Sequence, residues 1–143
     1  MADYTYPSLL MGLANNNIDL TGKLKVLLVT SKYKPSAKHK TREDITHEAQ
    51  GTGYTSGGSV LTEVAVKLVD ESTVLTASPA IWEKATMTVR GAVVYYSSGG
   101  GAKYDGLICY CDFGSDMSST NGAFTVNWSS DGILSLSPAN EGS

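Results

Sequence analysis

The sequence predicts an all-β domain, a jelly roll or β-sandwich with a short N-terminal helix or arm, on three observations. Apolar residues alternate with others over several short runs, as in "GAFTVNW", the spacing of a half-buried strand. Between the runs stand clusters such as "SSGGG" and "SSDG", whose residue types favour turns. Turn signals every ten residues or so mark a sandwich or jelly roll. Charged residues make up only 17% of the chain, against a usual ~25%, and a helical bundle would need far more Glu, Lys, Leu and Ala.

The 143 residues suit one domain. It divides into an arm or short helix over residues 1–18, a β domain over 19–138 and a frayed tail over 139–143. In "YPSLLMGLANNN", Pro7 fits a first helical turn and Asn15 to Asn17 fit its end. "GKLKVLLVTSKY" is a strand with Leu24, Val26 and Leu28 on one face and Leu27 and Val29 on the other, so it belongs inside a sheet. "KPSAKHKTREDITHEAQ" is the most polar segment. Thr41 and Asp44 resemble a capping box, with a helical turn or two expected from Arg42 to Glu48. Beyond it, "SVLTEVAVKLVD" reads as an alternating strand through Val60, Thr62, Val64, Val66 and Leu68. "STVLTASPAIW", "EKATMTVRGAVVYYSS", "YDGLICYCDFG", "GAFTVNWSS" and "GILSLSP" follow as strands, and "GSDMSSTNG" as a turn. Ala85, Met87 and Val89 share one face, as do Phe124, Val126 and Trp128.

Several chemistries are excluded or left without support. A net charge of −3 with no basic stripe argues against direct nucleic-acid binding. "MADYTYPSLLMGLANNN" lacks a charged n-region and carries too short an apolar run for a membrane partner. "QGTGYTSGGSVL" is glycine-rich, yet no lysine follows Gly57 or Gly58 as a phosphate-binding loop requires. Gly51, Gly53, Gly57 and Gly58 are read as a structural turn before a strand, pinned by the ring of Tyr54. His39 and His47, the only histidines, lack the spaced partners of a metal site and the neighbours of a hydrolytic triad. Asp105, Asp112, Asp116 and Asp131 sit beside turn residues. Cys109 and Cys111 point the same way along a strand, too far apart for an unstrained bridge, and are expected as packed thiols in a chain made in the cytoplasm. No catalytic residue, metal or cofactor is expected.

"IDLTGKLKVLLVTSKYKPS" followed by "REDITHEAQGTGYTSGGSVL", then "GAVVYY", "LICYCDFGSD" and "GAFTVNWSSDGILSL", resembles in order a pattern of small tailed-bacteriophage virion proteins. The likeness runs over nearly the whole chain. It implies a structural part of the virion, and among such roles a capsid cement (decoration) protein. Proteins of that kind resemble a jelly roll, are often paired or trimeric, and bridge major capsid protein subunits from the capsid exterior. No catalytic residue is implied.

A cement protein would need a partner interface, and two segments are the candidates: the arm, with Tyr4, Tyr6, Leu9 and Leu10, and the polar insert, with Lys34, Lys38, Lys40 and Arg42. The competing readings are that the arm covers the chain's own core and that the insert is a solvated loop. Two other functions fit a chain of this kind: a tail or baseplate component, and a carbohydrate-binding module acting at the host surface.

Overall fold

The apolar run Leu24–Val29 sets the architecture, because a strand with greasy side chains on both faces must be covered twice. The computed structural model, which describes residues 1–138, places this run (β2) inside a five-stranded antiparallel sheet. The strands of that sheet are β1 (Tyr4–Thr5), β2, β3 (Ser59–Val60), β6 (Ala80–Tyr96) and β7 (Leu107–Val126), in the order β1-β7-β6-β2-β3. A second sheet holds β4 (Ala65–Val69), β5 (Ser72–Thr76) and β8 (Leu134–Leu136), in the order β4-β5-β8. The fold is therefore an all-β sandwich, with one short α-helix among the described residues, α1 (Ser8–Ala14). The expected tail, residues 139–143, lies outside the described residues.

The two faces of β2 go into two separate cores. Leu24, Val26 and Leu28 join Ala92, Val94, Ile108, Cys109 and Cys111 in a cluster that includes Leu75, Ile133 and Leu134 from the smaller sheet and its approach. Leu27 and Val29 join Val93, Tyr95, Leu107 and Tyr110 in another, covered by Tyr6 from the arm and by Tyr33, the residue that leads into the insert. The faces are those the alternation assigned. Cys109 and Cys111 are free and buried, and the neighbouring Cys111 sulfur, with burial second, pushes the Cys109 thiol up.

Two long strands replace the expected series of short ones. β6 and β7 form one hairpin from Tyr95 opposite Leu107 to Ala80 opposite Val126. The segment "GSDMSSTNG" is no turn; it runs within β7. Its turn-forming residues serve bulges instead. Val89 to Gly91 on β6 faces Met117 back to Asp112 on β7, so Phe113 to Asp116 bow out of the ladder, with Gly114 at φ +85°. Asn121, at φ +47°, takes up a second slip, where its N–H donates to the Thr86 hydroxyl at 2.9 Å.

Two further expectations need correcting. "SVLTEVAVKLVD" is not one strand: β3 ends at Val60 and β4 starts at Ala65 in the other sheet. Its alternating Val66 and Leu68 are exposed. The helical turns expected from Arg42 to Glu48 amount to one 3-10 turn, Arg42–Asp44, with Ile45 already extended. The capping element is present: the Asp44 carboxylate accepts from the N–H groups of Lys40 at 2.8 Å and Thr41 at 3.1 Å.

Gly58 marks where this packing is tightest. It has φ +80°, and a side chain there would meet the Val26 carbonyl oxygen. Gly99 has a similar φ of +87° with nothing within 4 Å. Gly58→Ala should therefore cost about 3 kcal/mol or more, strain and clash together, and Gly99→Ala about 1–2 kcal/mol from the dihedral alone. Urea midpoints of the two variants compare them directly; equal losses would show that the close approach to Val26 is not the constraint.

Candidate functional site

The glycine-rich loop folds around an anion of the protein's own. The Glu48 carboxylate accepts from the Tyr54 hydroxyl at 2.5 Å, the Gly57 N–H at 2.7 Å and the Ser56 hydroxyl at 3.2 Å. Tyr54 in turn accepts from the Leu28 N–H at 3.0 Å, and its ring lies 6.0 Å from that of Trp82. Tyr95 donates to the Gly57 carbonyl at 2.5 Å. A backbone N–H that a phosphate would need is thus taken by Glu48. Gly51, Gly53, Gly57 and Gly58 all have positive φ, as a structural turn requires. Burial, then the bond to Glu48, holds Tyr54 well above the usual phenol range.

The arm and the insert meet over the second core, and they divide sharply between buried and exposed groups. Tyr6 and Leu9 have no exposed surface and cover the chain's own core, which corrects their reading as partner-facing residues. Leu10 is 62% exposed and Tyr4 is half-buried. Tyr4 and Thr5 pair with Tyr110 and Cys109 as β1, so the arm is a strand of the main sheet. From the insert, Lys34, Lys38 and Lys40 are exposed. Arg42 is turned inward: its Nε donates to Asp105 at 3.0 Å and its guanidinium lies 5.5 Å from the centre of the Tyr95 ring.

Polar groups tie the insert down. The hydroxyls of Tyr6 and Tyr33 are 2.6 Å apart, and Tyr33 reaches His39 Nδ1 at 2.9 Å. Burial pushes Tyr33 up to about 12 and raises Tyr6 further, so both stay protonated phenols at neutral pH. Asp105, 4% exposed, accepts from the Ser98 N–H and hydroxyl, both at 2.9 Å, besides Arg42. These bonds, with Glu43 N–H donating to the Ala102 carbonyl at 3.2 Å, fasten the "SSGGGAKY" tip to the insert. The tip is an anchored loop.

Between arm and insert lies a cleft of about 230 Å³ lined by Asp3, Tyr4, Tyr33, Lys34, Pro35, Arg90, Tyr110 and Asp112. It brings Tyr4 and Lys34 together from the two segments singled out in the sequence; Lys38, Lys40 and Arg42 are not part of its lining. Arg90 and Asp112 face each other across the β6–β7 hairpin, Nε to Oδ1 at 2.8 Å. The Arg90 bond, then the Gly114 N–H, holds the Asp112 carboxyl below its ordinary value. Asp3 accepts from the Asp112 N–H at 2.7 Å. Arg90 and Asp112 were missed by reading the sequence as strands and turns. Only the three-residue slip of β7 against β6 brings them side by side.

Elsewhere, exposed apolar side chains gather on two elements. Leu10 and Met11 (67% exposed) stand on α1. Val66, Leu68 and Val69 stand on β4, an edge strand. Among the described residues, no three His, Cys, Asp or Glu side chains converge as a metal site, and no helix is long and apolar enough to cross a membrane.

Asp105 yields a pH prediction. Burial is the largest single influence and opposes its charge, but the Ser98 and Arg42 bonds together outweigh it, so its pKa falls below 3.8. A carboxylate depressed on folding stabilises above its unfolded pKa, and the contribution is lost as pH falls through the folded value. Asp105→Asn should cost about 1–3 kcal/mol at pH 7, and its urea midpoint should fall less steeply than the parent's below about pH 4. Parallel profiles would show that Asp105 carries no such linkage. Comparison of the chain with protein-family models, with curated proteins and with solved structures finds no match in any of the three.

Proposed function

We propose that the chain is a structural protein of a tailed-phage virion, a capsid cement protein that crosslinks major capsid protein subunits from the outside. The ordered resemblance of its segments to small virion proteins supports the class. The observation that carries the cementing role is the set of exposed apolar side chains on β4, Val66 and Leu68 on one face and Val69 on the other. Leu68 is 77% exposed, Val69 51% and Val66 36%, on a strand whose outer edge has no sheet partner among the described residues. Exposed apolar edges are a hazard that proteins normally blunt, and a patch of this kind fits a surface that another chain covers.

Cementing works by avidity. A contact through β4 and a second through Leu10 and Met11 on α1 would each be weak. Once one is made, the other becomes intramolecular and gains effective concentration. A molecule so placed, singly or as a dimer or trimer, resists separation of the subunits it spans. The bracing by Glu48 and Asp105 suits this role, since a preformed surface loses little entropy on docking.

A cryo-EM reconstruction of the virion encoding this chain tests the reading. Density over the capsid lattice, between capsomers, is the expected result; rings of density at the tail or baseplate would replace cement with a tail role, and absence from the particle would end the virion reading. At residue level, Leu68→Lys should leave stability within about 0.5 kcal/mol of the parent. Co-sedimentation of the variant with capsids should weaken about tenfold or more, as for an interface residue worth at least ~1.4 kcal/mol. Unchanged co-sedimentation would remove β4 from the interface.

A further inference from the structure

The cleft between arm and insert sets four charged groups beside tyrosine rings, and Arg90, Asp112 and Asp3 are already fixed there by the bonds that brace the arm and the β7 bulge. We propose that it binds one neutral sugar ring, presented by a glycan, with Tyr4, Lys34, Arg90 and Asp112 as the contacting residues. This is a second binding function, independent of where the chain sits on a particle.

Size is the first argument. Pockets for drug-sized ligands measure about 300–1,000 Å³, whereas this cleft has about 230 Å³, room for a single ring. Charge is the second. Lys34 and Arg90 are balanced by Asp3 and Asp112, so an anion or a cation would meet charges of its own sign. An apolar ligand would strand all four away from water, at a cost no apolar contact of this size repays. A polyol suits such a lining because each hydroxyl both donates and accepts.

Geometry is the third. The Arg90 Nε bond to Asp112 holds the guanidinium in place and leaves its terminal amino groups for a ligand. The planar guanidinium can donate to two adjacent ring oxygens at once, and Asp112, whose Oδ1 is taken by Arg90 and the Gly114 N–H, keeps Oδ2 to accept from a neighbouring hydroxyl. Tyr4, half-buried and packed edge-on to Tyr6 at 5.4 Å between centroids, supplies an aromatic wall for the C–H face of the sugar. The floor is rigid: Tyr33 is 1% exposed and bonded on both sides by Tyr6 and His39. A prearranged site of this kind spends little of its binding energy on ordering.

The test is a glycan array of neutral and acidic glycans probed with the full chain, each hit followed by saturation-transfer NMR. At least one neutral glycan should bind, with signal transferred to its ring protons. Its affinity should fall about tenfold or more in Arg90→Ala and in Asp112→Asn, the loss expected for a hydrogen bond to a charged group. Arg90 has a side chain 32% exposed, so its variant should keep the parent's melting temperature and separate binding from folding. Failure of every neutral glycan to bind at millimolar concentration would overturn the proposal, as would a preference for acidic glycans or binding that survives both substitutions. Loss of capsid binding in Arg90→Ala, with no glycan bound by the parent, would assign the cleft to a protein side chain instead and overturn it equally.

Discussion

Everything in this molecule follows from a sheet that is apolar on both faces. Leu24, Val26 and Leu28 look one way and Leu27 and Val29 the other, and β6 and β7 continue both faces alongside. A parallel sheet would meet that demand with helices. An antiparallel chain with a single seven-residue α-helix among the described residues has to find other covers. It uses a three-stranded sheet on one side. On the other it uses loop and arm residues carried in on tyrosines. The second cover is the unusual one, because irregular backbone over a core brings polar groups that need partners.

The solution to that problem is a small set of internal carboxylates and phenols. Glu48 gathers the glycine loop, Asp105 joins the insert to the β6–β7 loop, and Tyr6, Tyr33 and His39 form a chain of hydrogen bonds from core to surface. Tyrosine suits this position because its ring fills the core while its hydroxyl satisfies a polar neighbour. The protein has eight tyrosines and two phenylalanines. That imbalance fits a core roofed by loops, where a phenylalanine would leave the loop's polar groups unmet.

Reading by period worked wherever local pattern and packing agree. The two faces of β2, the shared face of Ala85, Met87 and Val89, and the turn role of the glycine loop were all legible. It failed where tertiary contacts decide. The stretch Gly114 to Gly122 has turn composition, but its glycines and Asn121 serve bulges in a strand held by β6. Val66 and Leu68 alternate like buried residues, yet the sheet carrying them extends past the core, which alternation alone does not reveal. Half of the candidate site was visible, since Tyr4 and Lys34 stood out as arm and insert residues. Arg90 and Asp112 were hidden because a register slip is a property of two strands together.

The same slip explains why the cleft can exist beside so dense a core. A regular hairpin would carry β7 straight past β6, with alternate side chains packed against the sheet's covers. Bowing Phe113 to Asp116 out of the ladder ends the doubly buried part of the hairpin at Gly91 and Asp112. From there outward one face of β6 is open to solvent. Arg90 and Asp112 stand at this boundary, bonded to each other at 2.8 Å and open to solvent, where a ligand can meet them. Charged pairs at such margins keep their geometry without the full cost of burial. A bulge that costs local pairing thereby creates the place on the sheet where fixed charges and aromatic walls adjoin.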